Sequence, residues 1–205
     1  EGGVITNDAP FAVTFGVAPA ADRRTLIRRL HFVLLGLPPE PSLVESFVAD
    51  PDPDAFPRLV DQLLASSHFG ERWARHWMDV VRYADTYGYE WDIPAKGAWR
   101  YRDYLTRAFN DDIPFDQLVK EHLAGDLLDG DQLAGARIDC VRQINESLIG
   151  PMFYQLGEKR HGDSSEFDGI HQEMLDNKID AFAKAFQATT IACARCHDHK
   201  IDAVA

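Results

Sequence analysis

The chain has 205 residues, 45% of them apolar, and a formal charge of −12 from 33 acidic and 21 basic side chains. That length and apolar share support one good core, with room for an added lobe, while the acidic balance argues against nucleic acid, whose phosphates demand a basic face. No run of about eighteen apolar residues occurs, so no membrane span is expected, and the charged-then-apolar start of an uncleaved signal peptide is missing.

Residues 1–20 carry Gly, Pro and Ala around a short apolar alternation at Phe11, Val13 and Phe15, which reads as an extended N-terminal arm. The remainder, 21–205, reads as one mainly helical domain. From Asp22, a plausible N-cap, Leu26, Ile27, Leu30, Val33 and Leu34 keep helical spacing until Gly36, Pro38 and Pro39 stop them. Ser42 with Glu45 has the form of a capping box for a second short helix. In a third, Phe56, Leu59, Val60, Leu63 and Leu64 share one face, with Pro57 tolerable only in the first turn.

The stretch Phe69 to Ala84 places Phe69, Trp73, His76, Trp77, Val80 and Ala84 along one side of a helix, so His76 is expected to point inward. Arg72, Arg75, Asp79, Arg82 and Asp85 fill the flanks at ion-pair spacings. A loop with Tyr87, Tyr89, Trp91 and Pro94 precedes a helix holding Trp99, Tyr101, Tyr104, Leu105 and Phe109. The aromatic concentration from Trp73 to Phe109 suits core packing first, and otherwise a flat wall for a planar cofactor, with Trp73 and Trp77 as its first contacts. Pro114 opens a helix through Leu118, Val119 and Leu123, after which Gly125, Gly130 and Gly135 break the chain into loop; 157–170 is a polar, Gly-rich surface loop, and no convincing strand appears. Cys140 is an odd thiol, expected as a small buried apolar side chain. In the last helix Leu175, Ile179, Phe182, Phe186, Thr189 and Cys193 form a stripe that, if helical throughout, delivers Cys193 to the core.

That stripe ends in Cys193, Ala194, Arg195, Cys196, His197, the C-x-x-C-H signature of c-type haem attachment: two thiols for thioethers to the porphyrin and an adjacent imidazole for the iron. A thioredoxin-like redox pair needs a strand leading into a helix, and the approach here reads as helical. Zinc could take Cys193, Cys196 and His199 or His197, but the only other cysteine is Cys140, far upstream. The axial ligand is expected to be His197. For the opposite face of the iron, His76 leads, followed by His68; Met152, Met174, His161 and His171 are further candidates, His199 lies too near His197, and Met78 should face away from His76. If that face is open, Arg72 or Arg75 beside His76 suggests an acid/base pair for cleaving a peroxide bond.

The stretches ADRRTLIRRLHFVLLGLPPEP, SSHFGERWARHWMDVVRYADTYGYE, AWRYRDYLTRAFNDDIPFDQLVKEHLAGDLL and CARCHDHKID closely resemble the DUF1549 domain of planctomycete-type (PSCyt) secreted cytochrome c proteins, over about residues 21 to 202. The resemblance implies export, here the periplasm, and membership in a multidomain redox protein whose other domains are partners. The fold expected is an irregular multi-helix bundle enclosing a covalently attached haem c. The function expected is monohaem electron transfer to a redox protein with a cationic face; the alternatives are a haem enzyme acting on peroxide or an organic or saccharide substrate, and a zinc-stabilised helical binding module.

Overall fold

In the computed structural model, described for residues 20–88, 91–128, 135–160 and 165–201, the chain is mainly helical. It divides into two compact units, Glu1–Gln62 and Leu63–Ala205, with the division near the end of the third helix. The expected arm lies outside the described residues apart from Ala20.

In the first unit, α1 (Arg23–Leu34) begins where expected: Asp22 accepts from the Thr25 backbone N–H at 2.9 Å. Gly36 stops it in the left-handed region at φ 72°, its N–H returning to the carbonyls of His31 and Phe32. Ile27 and His31 form the buried side of α1, whereas Val33 is exposed. The capping box of α2 (Pro41–Ala49) does not form. Pro41 takes the first helical position, where its fixed φ is pre-set for a helix, and Glu45 pairs with Arg24 at 2.8 Å instead. The third helix, α3 (Ala55–Leu64), keeps Pro57 in its first turn and buries Ala55 and Leu59, while Phe56 stays exposed.

The second unit centres on α4 (Ser67–Val80), α5 (Trp99–Asn110) and α6 (Phe115–Ala124). The buried side of α4 differs from the expected one. It runs through Gly70 and Ala74, with Trp77 half-buried beside them, to Val81 just past the helix, and leaves His76, Val80 and Ala84 exposed. Small residues win because α5 comes so close: a Cβ on Gly70 would stand 2.3 Å from the Thr106 carbonyl oxygen. Asn110 fastens the crossing, accepting from the Gly70 N–H at 2.8 Å and donating to the Ser67 carbonyl at 3.1 Å. Tyr101, Tyr104, Leu105 and Ala108 of α5 join Leu118 of α6 and Phe153 and Leu156 in one cluster.

The C-terminal end of α6 is clasped by the segment 146–155. A Cβ on Gly150 would meet the Glu121 carbonyl oxygen at 2.3 Å, and one on Gly125 the Ser147 carbonyl oxygen at 1.9 Å. Just before this clasp, β1 (Ile138–Asp139) and β2 (Ile144–Asn145) form a small antiparallel ribbon that the sequence pattern did not announce. Cys140 lies in its connection as an exposed free thiol, not a buried one, because Asp139 accepts the Val141 and Arg142 N–H groups and turns the chain outward there.

The last helix, α7 (Ile170–Phe182), does not reach Cys193. It widens into a π-turn at Ala183–Gln187 and ends at Ala188, which adopts φ 52°. The expected stripe is inward only in part: Phe182 and Phe186 pack against the core, but Leu175 and Ile179 are 56% and 43% exposed, with Asp180, Ala181 and Ala183 buried instead, and the wider turn shifts the phase of the residues after it, ahead of Cys193. A separate 3-10 turn, Ala192–Arg195, carries the cysteine motif.

Candidate functional site

The turn from Ile191 to His197 is held by its own backbone: the Cys193 carbonyl accepts from the N–H groups of Cys196 at 3.3 Å and His197 at 3.4 Å. Arg195 anchors it to α7 through Asp176, 2.9 Å from its Nε. Both cysteines are free thiols and exposed, as is His197. His197 Nδ1 lies 2.8 Å from the Asp198 carbonyl, which can only accept, so a neutral ring keeps its proton on Nδ1 and its Nε2 lone pair for a ligand. Two exposed sulfurs and an imidazole with an available Nε2 on one short turn are the donor set that covalent haem attachment uses, and they fit that group. Among the described residues no group of three His, Cys, Asp or Glu side chains is arranged to hold a metal ion, so zinc would find no preformed site.

The other expected ligands are dispersed. His76 is exposed on α4 with its ring edge against Trp73, the centroids 5.6 Å apart, and so does not point inward. His68 is also exposed and pairs with Glu71 at 2.9 Å, one turn into a helix capped by Ser66. Arg75 is committed to an exposed pair with Asp79 at 3.1 Å, and Arg72 is half-buried. Met152 and Met78 pack against the core, Met174 lines a separate cavity of about 320 Å³, His171 is exposed, and His161 lies outside the described residues. Trp73 lines an apolar cavity of about 260 Å³ with Phe69, Phe109, Ile113, Phe115 and Leu118. Trp77 belongs to the core: its indole donates to the Tyr101 hydroxyl at 3.1 Å and its ring lies 5.4 Å from that of His122 and 5.8 Å from that of Phe186.

Sequence reasoning missed the densest polar cluster. His122 is fully buried, its Nδ1 donating to the Leu118 carbonyl at 2.7 Å, which leaves Nε2 to accept from the Tyr101 hydroxyl at 2.7 Å. Burial pushes the imidazole down to about 4, so it is neutral near pH 7. Burial also pushes the Tyr101 hydroxyl far up, keeping it a proton donor. Beside it Glu121 has no exposed surface, and it accepts from Tyr104 at 2.7 Å, Gln117 at 3.1 Å and Arg137 at 3.1 and 3.2 Å. Burial alone would raise this carboxyl; the bonds from Arg137, Tyr104 and Gln117 outweigh it and hold the group below its ordinary value. Arg107 grips buried Glu146 through two bonds of 2.5 and 2.8 Å. The signal was present in the spacing: Leu118, Glu121, His122 and Gly125 lie on one face of α6.

A family model for "Protein of unknown function (DUF1549)", PSCyt2, matches residues 12–205. The chain belongs to this family. No curated protein and no solved structure matches it. The DUF1549 match spans both compact units and ends beyond the C-x-x-C-H turn, so the turn and the buried α5–α6 cluster are parts of one family domain. Among its described residues no helix is long and apolar enough to cross a membrane.

Proposed function

We propose that this DUF1549 domain holds a covalent c-type haem through thioethers from Cys193 and Cys196, with His197 Nε2 as axial ligand, and that it passes electrons within an exported, periplasmic multidomain protein. The observation that carries the reading is the turn itself: two free exposed thiols and an imidazole whose Nδ1 is engaged by the Asp198 carbonyl. Once bound, the haem would supply a one-electron couple. The chain's own part is to present the sulfurs as accessible thiols, to fix the imidazole tautomer through the carbonyl, and to hold the turn against α7 by Arg195 and Asp176. The net charge of −12 favours a redox partner with a cationic face. With His76 exposed, no sixth ligand enters this reading.

The test is expression with a haem-attachment machinery, followed by acid–acetone extraction and a haem stain after denaturation. Colour retained by the protein, sharply reduced on Cys193→Ala or Cys196→Ala, and a changed spectrum on His197→Ala are the results expected. A protein that emerges colourless, or whose colour is extracted completely, overturns the proposal. The oxidised and reduced spectra, with and without peroxide, then separate electron transfer from peroxide chemistry.

A further inference from the structure

Met174, Lys178 and Ala181 share one side of α7, at i, i+4 and i+7, and line a cavity of about 320 Å³ within the second unit. Val81, Phe153 and Leu156 add apolar walls, and Tyr87 an aromatic one. That volume lies within the range of small-molecule sites. Three of the lining residues carry charge, and two of them are already matched. Arg82 donates to Asp180 at 2.6 Å, and Glu158 pairs with Arg160 at 3.3 Å. Lys178 is the third. It is half-buried, yet it makes no hydrogen bond or ion pair with any described residue.

The Lys178 ammonium stands toward the Tyr87 wall, because its charge presses on that of Lys159, whose Nζ lies 4.6 Å from the centre of the Tyr87 ring. Burial and this second positive charge together push the Lys159 ammonium below its ordinary value. Lys96, Lys120, Lys184 and Lys200 are exposed, so these two are the half-buried lysines among the described residues. In a chain with 33 acidic and 21 basic side chains, a half-buried lysine without a carboxylate is an exception. The cavity is therefore left one positive charge in excess, among walls that are largely apolar. A cation would add to that excess, and a neutral molecule would leave it unmatched. A multiply charged anion would bring more charge than one ammonium balances and would meet apolar walls with nothing to offer them. A single carboxylate on an apolar body satisfies both the charge and the walls.

We infer that this cavity binds a monocarboxylate with an apolar body, its carboxylate paired with the Lys178 ammonium and its body against Phe153, Leu156 and Met174. The site does not depend on the haem reading, because none of the attachment side chains lines it.

The experiment uses the full chain, prepared with and without the haem-attachment machinery and isotope-labelled at the methionine methyl groups. Hydrocinnamate, hydrocinnamyl alcohol and acetate are titrated separately at fixed ionic strength while the Met174 methyl signal is followed by NMR. Hydrocinnamate should shift that signal saturably, with a Kd of about 1 mM, and the alcohol and acetate should each bind at least about tenfold more weakly. Lys178→Met should weaken hydrocinnamate binding about tenfold. Because Lys178 makes no bond within the described structure, that variant should keep the melting midpoint of the parent. Lys178→Arg, which retains the charge, should bind within about threefold of the parent. No saturable shift by about 30 mM hydrocinnamate overturns the inference. So does binding of the alcohol or of acetate as tight as that of hydrocinnamate, binding unchanged in Lys178→Met, or a loss that Lys178→Arg shares. Titration of the haem-free chain tests this site whatever the outcome for the haem.

Discussion

The interior face of α6 and the 191–197 turn treat reactive side chains in opposite ways. On α6, Glu121 and His122 have no exposed surface and each polar atom meets a partner: a guanidinium, a hydroxyl, an amide or a carbonyl. On the turn, two thiols and an imidazole are exposed, and only His197 Nδ1 is engaged. Chemistry-bearing residue types therefore divide by role. The buried set is committed to holding α5, α6 and the 146–155 clasp together, and the exposed set is left free to react.

The sharpest way to break this contrast is to remove a partner from the buried side. Arg137 is half-buried over Tyr104, 5.5 Å from its ring centroid, and supplies the charge that lets Glu121 stay ionised. Arg137→Met should destabilise the fold by about 3–5 kcal/mol, because it strands a buried carboxylate. Denaturant unfolding reads the effect, and a loss below about 1 kcal/mol would show that the carboxylate has another route to neutrality. Gly150→Ala should act comparably through sterics, its Cβ placed 2.3 Å from the Glu121 carbonyl oxygen.

Next in size is a pH effect. His122 has a folded pKa of about 4, well below the ordinary value of 6.5, because burial disfavours its charged form. Between those values the unfolded chain binds a proton that the folded chain refuses, so stability is full above about pH 6.5 and falls as pH drops toward 4, by about 3 kcal/mol in total. Below its ordinary value of 4.5, Glu121 adds to the loss, since its folded pKa is lowered and its stabilising bonds weaken as it takes a proton. Urea unfolding at a series of pH values, for the parent chain and His122→Phe, reads the slope. Replacement of the imidazole should remove up to about one proton of uptake from this window; equal slopes in the two proteins would mean that His122 is not the group responsible.

A smaller effect belongs to Trp77, assigned by sequence pattern to a cofactor wall but found donating to Tyr101. Trp77→Phe keeps an aromatic ring against His122 and Phe186 and removes one hydrogen bond, so a loss of about 1–2 kcal/mol is expected, with haem retention unchanged. Haem retention that falls with this variant while stability holds would return Trp77 to the cofactor.

What the sequence disclosed follows the physics of each segment. Asp22, Gly36 and Pro57 act locally, through a cap, a left-handed turn and a fixed φ, and they sit where pattern placed them. Local chemistry also made the C-x-x-C-H spacing readable. The buried side of α4 departs from its aromatic stripe because it is set by Gly70 and Ala74, at a crossing that only the partner helix reveals. The end of α7 departs from the expected path because one π-turn rotates everything after it and Ala188 ends the helix before Cys193. The α5–α6 cluster is only half legible for a third reason: spacing puts Glu121 and His122 on the face of α6 that carries Leu118, but Glu121 meets Arg137 from a distant segment, and charge alone argues for the surface unless a partner is known.

The other side of the contrast makes the last and smallest stability prediction. Cys193 and Cys196 are exposed, and their thiols pack into none of the core cluster. Cys193→Ser and Cys196→Ser should therefore change the stability of haem-free protein by no more than about 0.5 kcal/mol, while each should sharply reduce covalent haem retention. The pairing of those two readouts decides the role of the turn. If the serine variants unfold the haem-free chain, the cysteines are structural, and the separation between a committed interior and a reactive turn fails. If stability holds while covalent retention falls, the thiols are there for bond formation, and the fold's task at this end of the chain is to keep them accessible.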